Sequence, residues 1–191
     1  MRIAITGPGG SGKTTLAAEL ARVGGLRHVE IDALNHGPDW TTAPPEVLRQ
    51  RVESATAGDG WVTDATYHSV LGSLVADHAD LVVWLDLPVP LVMWRLVRRS
   101  YVRRRDRVEL WHGNLEPGWW TQLRWLIWPS FRTAFRNRRT FPKRFAGHPD
   151  VRRVRSDADV RAVVQSIQAS EAMSGSSNGS ERQNTPPFVE T

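Results

Sequence analysis

Gly7-Pro8-Gly9-Gly10-Ser11-Gly12-Lys13-Thr14, entered from the apolar run Ile3-Ala4-Ile5, is the stretch whose reading decides the fold. It satisfies G-x-x-x-x-G-K-[ST] at every fixed position, with a strand-like run before it and a helix-forming run after it. A glycine-rich turn lets successive backbone N–H groups converge on one anion. The start of the following helix adds its dipole and its unsatisfied donors to the same place. The pattern predicts a polyphosphate cradle made of Gly7, Gly9, Gly10, Ser11, Gly12, Lys13, Thr14 and Thr15. In it Lys13 reaches the β- and γ-phosphates and the Thr14 hydroxyl holds Mg²⁺. Only two of the chain's 25 basic residues are lysines, Lys13 and Lys143. A composition that otherwise uses arginine keeps lysine where a compact point charge is needed.

Working outward, residues 2–6 read as the first strand and Lys13–Arg22 as an amphipathic helix closed by Gly24-Gly25. His28–Asp32 reads as a second strand, Trp61–Asp64 as a third, Leu81–Asp86 as a fourth and Val151–Arg155 as a fifth. Between them lie a helix opened by Pro44-Pro45, a modest helix over 68–78, and a long one opened by Pro88 and Pro90. A Trp-rich helical stretch over 117–139 is broken or kinked at Pro129, and a last helix covers 159–168. Strand alternating with helix behind a phosphate loop predicts a three-layer α/β/α domain on a parallel sheet. The ligand then sits beyond the carboxyl ends of the strands, where Asp32, Asp64 and Asp86 all fall.

At 191 residues the chain suits one domain, over 1–169, followed by a tail, 170–191, whose Ser, Gly, Asn, Gln and Pro leave little to bury and which is expected to be disordered. With no cysteine, neither a disulfide nor a thiolate metal site can form. No signal peptide is legible and no apolar run approaches the roughly 20 residues that span a bilayer, so a cytoplasmic chain with no membrane partner is expected. Residues 95–144 hold fourteen basic side chains against Asp106, Glu109 and Glu116, a net +11. Such a cluster calls for an anion, and polyphosphate and nucleic acid both qualify.

These features resemble the P-loop kinases of the adenylate and shikimate kinase type, whose sheet order is 2-3-1-4-5. Trp61-Val62-Thr63-Asp64-Ala65 looks like the strand that ends in an acid in those kinases, and Leu85-Asp86-Leu87-Pro88 like their fourth strand. Arg95 and Arg99 look like the pair that introduces a mobile lid over ATP, placed here at about 98–118. A nearer resemblance is to the DNA topology modulation, or FlaR-like, proteins. It is carried by Asp32-Ala33-Leu34, Gly37-Pro38-x-Trp40, Trp61-Val62-x-Asp64, Val83–Pro88, Gly113-Asn114-x-Glu116 and Ile127-Trp128, and covers about residues 1–160. Where that group commonly has Asp-Gly-Asn-Tyr, this chain has Asp64-Ala65-Thr66-Tyr67.

The resemblance implies an ATP- and Mg²⁺-dependent kinase, monomeric or dimeric, acting on a small nucleotide-like or hydroxyl acceptor. Asp64, on the strand next to the phosphate loop in that topology, would be the metal's second partner, while Asp86 could position the loop or cap the turn before Pro88. Asp32 would orient or deprotonate the acceptor hydroxyl, with a turn-forming role as the alternative. Arg95 and Arg99, four residues apart on one helix face, would offset charge on the moving phosphoryl group, and Arg103 and Arg104 would contact the nucleotide. His36, beside Asp39 and Trp40, sits in a loop that could wall a ring-shaped acceptor. The tryptophans Trp111, Trp119, Trp120, Trp125 and Trp128 read as lid or core packing, with base stacking as the alternative. The rival function is a nucleic-acid-associated regulator that uses the arginine-rich segment.

Overall fold

In a computed structural model, which describes residues 1–122, 124 and 127–181, five parallel strands stand in the order β2-β3-β1-β4-β5. They are β1 (Arg2–Thr6), β2 (Arg27–Val29), β3 (Trp61–Thr63), β4 (Leu81–Leu85) and β5 (Val151–Val154). β1 lies between β3 and β4, with Ile3 paired to Val62 on one side and to Leu81 on the other. The expected sheet order is therefore the observed one.

The period-2 alternation of side chains divides the core between the two faces of the sheet. Ile3, Ile5, Leu81, Val83 and Leu85 face α1 (Lys13–Val23) and α9 (Asp157–Glu181), where Leu16, Leu20, Val163 and Ile167 meet them. Ala4, Trp61, Val82 and Trp84 face the other way. They are covered by Leu48 and Val52 of α3 (Pro45–Ala55), by the short helices α4 (His68–Leu71) and α5 (Leu74–Asp77), and by Phe141 of α8 (Trp128–Arg144). Burial on both faces explains why β4 reads as an unbroken apolar run.

Several expected elements differ. Asp32 does not end a strand: β2 stops at Val29, and Asp32 lies in the first turn of α2 (Ile31–Asn35). The Asp64 carboxylate accepts from the Ile31 N–H at this helix start (3.3 Å). The helix expected over 68–78 is two short ones, broken at Gly72, whose φ of 61° ends the first. The long helix opened by Pro88 is α6 (Val89–Arg105), with proline in its first turn. The Trp-rich stretch is α7 (Trp119–Gln122) and then α8, and Pro129 sits in the opening turn of α8, where a missing N–H costs nothing. α9 runs past residue 169 to Glu181, with Ser170 Oγ donating to the Ser166 carbonyl (2.9 Å), while 182–191 lie outside the described residues. No helix among the described residues is long and apolar enough to cross a membrane.

Candidate active site

β1 ends on the glycine loop, and α1 begins at Lys13. Gly12 sits at φ 93°, left-handed backbone that glycine alone adopts cheaply. At Gly10, with φ 80°, an added Cβ would stand 2.6 Å from the Val92 carbonyl and 2.9 Å from Leu96 Cβ. The loop thus packs its bare backbone against α6 and turns the rest of its surface toward a cavity of about 830 Å³. Gly9, Gly10, Ser11, Gly12, Lys13, Thr14 and Thr15 line one wall, and Arg95, Arg98, Arg99 and Arg103 of α6 line the other, with Asp32 between.

Helical geometry selects which arginines enter. Residues 95, 99 and 103 advance by four and share a face, whereas Arg104, nine after Arg95, is half a revolution away at 100° per residue. Arg104 correspondingly does not line the cavity. It donates to the Pro117 carbonyl (2.9 Å) and so braces the segment after α6. Arg98, read from sequence only as part of the basic run, does line it. Arg95 lies 3.8 Å from Asp157 at the start of α9, and Arg103 lies 3.6 Å from the buried Glu116 carboxylate. Arg99 is different: its Nε is buried and has no hydrogen-bond partner among the described residues. Burial, and next the Arg103 charge, lower its pKa from the usual guanidinium value. A buried guanidinium N–H without a partner, on a side chain that lines a cavity, leaves positive charge there that an anion can offset.

At the floor, Lys13 Nζ donates to the Pro8 carbonyl (3.0 Å), and Thr14 Oγ1 donates to Asp64 Oδ2 (2.8 Å). Burial lowers the Lys13 pKa, against the pull of Asp32 and Asp64, and Arg99 lowers it further. Asp64 is buried at the end of β3. Burial raises its pKa and the Asp32 charge adds to that, while the Thr14 hydrogen bond opposes both. Asp32 Oδ1 accepts from the Tyr67 hydroxyl (2.7 Å), and burial followed by the Asp32 charge pushes the Tyr67 phenol well above its usual range. Tyr67 was legible only as the fourth residue of Asp64-Ala65-Thr66-Tyr67, and nothing in that spacing marked it as the partner of Asp32. Two carboxylates, an ammonium and a guanidinium therefore share one poorly solvated corner, an arrangement that is costly unless a ligand completes it.

The raised Asp64 pKa has a consequence for stability. Above the ordinary carboxylate pKa of about 3.9, and up to the raised folded value, the folded protein keeps a proton that the unfolded chain releases. Stability contributed by this group falls as pH rises through that window, and above it the buried charge is a constant cost. Asp64→Asn, whose amide oxygen can still accept from the Ile31 N–H while its NH2 donates to Thr14 Oγ1, is expected to melt at or above the parent temperature at neutral pH without ligand. Melting curves across the acid range check this, and a large loss would mean that the fold itself needs the carboxylate.

Asp86 does not join this corner. Arg138 Nε (2.8 Å) and the Arg153 guanidinium (Nε 3.0 Å) both donate to it, and Arg155 Nε lies 4.0 Å away. It ties β4, β5 and α8 together at the edge of the site, in place of positioning the loop or capping the turn.

Beyond α2, His36 and Trp40 meet the segment after α6. The Asn114 amide donates to the Gly37 carbonyl (2.9 Å) and accepts from the Trp40 N–H (3.2 Å). Trp40 Nε1 donates to the Leu115 carbonyl (2.9 Å), and Trp111 Nε1 donates to Glu30 (2.8 Å). The His36 ring stacks at 6.0 Å on Trp111 and stands edge-on at 5.5 Å to Trp40. These rings close on one another and do not line the cavity. Of the other tryptophans, Trp120 and Trp128 are exposed and not core, since α8 turns Phe141 and Phe145 inward instead. The expected Trp125–Trp128 pair has one member, Trp125, outside the described residues, and the Trp119 side chain also lies outside them.

No protein-family model matches the chain. Over 130 residues it is 31% identical to the cytidylate kinase of Natronomonas pharaonis, an alignment that covers 60% of this chain and 64% of that relative. The chain thus spans less than two thirds of the length of the curated relatives it matches. Among solved structures, the shikimate kinase of Bacteroides thetaiotaomicron aligns with a TM-score of 0.55 at 16% identity, over 88% of this chain and 97% of that one. A deoxyadenosine kinase of M. mycoides aligns with a TM-score of 0.52 at 15% identity, over 89% and 98%. Two kinases named for such different acceptors share the arrangement found here, and the α/β fold of this chain is the fold of the P-loop kinases.

Proposed function

We propose that the chain is an ATP-dependent phosphotransferase that moves the γ-phosphoryl group of ATP to a small nucleotide-like or hydroxyl-bearing acceptor. The observation that carries the reading is the single cavity in which the glycine loop and Lys13 face Arg95, Arg99 and Arg103, with Asp32 on the wall between them. Its chemistry fits both groups the reaction needs. Gly12, which lines the cavity at the start of α1 with open space where a Cβ would stand, leaves the backbone there free for N–H contacts to a polyphosphate, and the paired oxygens of Thr14 and Asp64 are donors of the kind Mg²⁺ accepts. Mg²⁺ held there would supply charge neutralisation to the polyphosphate.

The chain's own side chains do the rest. Lys13 exchanges the Pro8 carbonyl for phosphate oxygen, and Arg95 and Arg99 place positive charge where the transferring group develops negative charge. Asp32, fixed by the Tyr67 hydroxyl, orients the acceptor hydroxyl and takes its proton. Residues 98–118 act as the lid of a domain that spans about 1–169. The likeness to a cytidylate kinase supports a nucleoside monophosphate among the acceptors, and the motif pattern supports a place near the DNA topology modulation proteins. The nucleic-acid reading is weakened by the use of the arginines. Arg95, Arg103 and Arg104 meet Asp157, Glu116 and the Pro117 carbonyl, and Arg138, Arg153 and Arg155 gather on Asp86.

ATP consumption measured across a panel of nucleoside monophosphates and small hydroxy acids tests the proposal. One acceptor is expected to raise turnover at least tenfold over basal hydrolysis. If no acceptor on a broad panel does so, the phosphotransferase reading is lost.

A further inference from the structure

The outer face of α8 has no part in the cavity. Its inner face is spent on the fold, with Phe141 and Phe145 in the core and Arg138 on Asp86. Trp128, Phe131 and Phe135 instead line the flank between that inner face and the outward side, at a spacing of three and four residues, and they are 59%, 38% and 52% exposed. Trp128 stacks on Phe131 at 6.0 Å and Phe131 meets Phe135 at 5.0 Å, so the rings form one continuous ridge. Arg132, Arg136, Arg139 and Lys143 fall on the arc immediately beside it, all exposed. Between Glu116 and Asp150 the chain has seven basic residues and no acidic one.

We infer that this face of α8 docks on an anionic lipid bilayer surface, with the rings at the boundary between headgroups and acyl chains and the neighbouring cations on lipid phosphate. An aromatic ridge flanked by cations on a helix lying along a protein surface is the pattern of an interfacial helix. It needs no membrane-crossing segment and revises the expectation of no membrane partner. Charge complementarity selects the occupant. A second copy meeting this face across a two-fold axis would set one basic arc against another with no acid to relieve it. Single-stranded nucleic acid is held in basic grooves between ring platforms, whereas this face is an exposed helix whose rings are already packed on one another.

Flotation of the full chain with vesicles is the test. Binding is expected to phosphatidylcholine vesicles containing about one third phosphatidylglycerol, to be negligible with phosphatidylcholine alone, and to weaken as salt rises. Arg132→Gln with Arg136→Gln is expected to lower partitioning about 25-fold, on the scale of roughly 1 kcal/mol per basic residue at such a surface. Phe131→Ala with Phe135→Ala is expected to lower it at least tenfold, with ATP binding and melting temperature unchanged in both variants. The inference is overturned if anionic vesicles do not bind, or if the ring variant binds them like the parent. It is equally overturned if the substitutions abolish binding of a single-stranded oligonucleotide, or self-association, while sparing the vesicles.

Discussion

Lys13→Ala is expected to lower acceptor-dependent ATP turnover by at least about 10³-fold, the scale set by removing one charge stabiliser from a phosphoryl- or acyl-transfer site. The unliganded fold should be at least as stable as the parent. The two effects share a cause. Burial lowers the Lys13 pKa, so without ligand the fold pays to keep the ammonium on the Pro8 carbonyl. Between the depressed folded pKa and its ordinary value near 10.4, the unfolded chain binds more protons than the folded one. Stability therefore rises with pH through that window, and below it the penalty is fully present. Alanine removes the penalty along with the function. Thermal melting with and without ATP separates these contributions. Ligand at 100 times its dissociation constant should stabilise the parent by about 2.7 kcal/mol and the variant by much less. A variant that binds ATP as tightly as the parent and still turns over would show that Lys13 does not contact phosphate. A variant that melts well below the parent would show that the ammonium serves the fold.

The parts legible in the sequence were those in which one local pattern dictates one backbone. The glycine loop forces its own geometry, and the apolar run Leu81–Leu85 can be buried on both faces only inside a parallel sheet. Prolines at first helical turns gave the starts of α3 and α6. What stayed hidden depends on residues far apart in the chain. Tyr67 reaches Asp32 across 35 positions and Trp111 reaches Glu30 across 81, and neither periodicity nor a turn signal encodes such a meeting. Asp32 itself was misplaced because His28–Asp32 alternates like a strand. The short strand gives way to helix at Ile31, whose N–H is held by Asp64, the residue that follows β3. The direction of Arg104 was hidden for a different reason. Composition shows a run of arginines, and only the angle each subtends on α6 says which of them face the cavity.

Asp86 provides the largest expected effect on stability, and it is asymmetric. The carboxylate is 7% exposed, whereas its partners Arg138 and Arg153 are 40% and 37% exposed. Removing the acid leaves two guanidiniums that can turn to water, and Arg153 keeps its place over the Trp84 ring at 4.4 Å. Asp86→Ala should therefore cost about 1.5–3 kcal/mol, the range for hydrogen bonds to a charged group. Removing both cations is worse, because the carboxylate cannot follow them outward from the end of β4. Arg138→Met with Arg153→Met leaves the buried carboxylate with no hydrogen-bond donor among the described residues and only Arg155, at 4.0 Å, as a counter-charge, and should cost up to about 3–5 kcal/mol, or roughly 6–20 °C in melting temperature for a domain of this size. Adding Asp86→Leu to that pair should return much of the loss, since an apolar replacement of a buried ion pair is often neutral. Denaturant unfolding of the parent, Asp86→Leu alone, the cation pair and the triple variant closes the cycle, with Asp86→Ala measured beside it. If the cation pair costs no more than Asp86→Ala, the acid is better solvated than its burial implies. If the triple variant recovers nothing, the arginines hold α8 to β5 by their own packing and not through the charge they share.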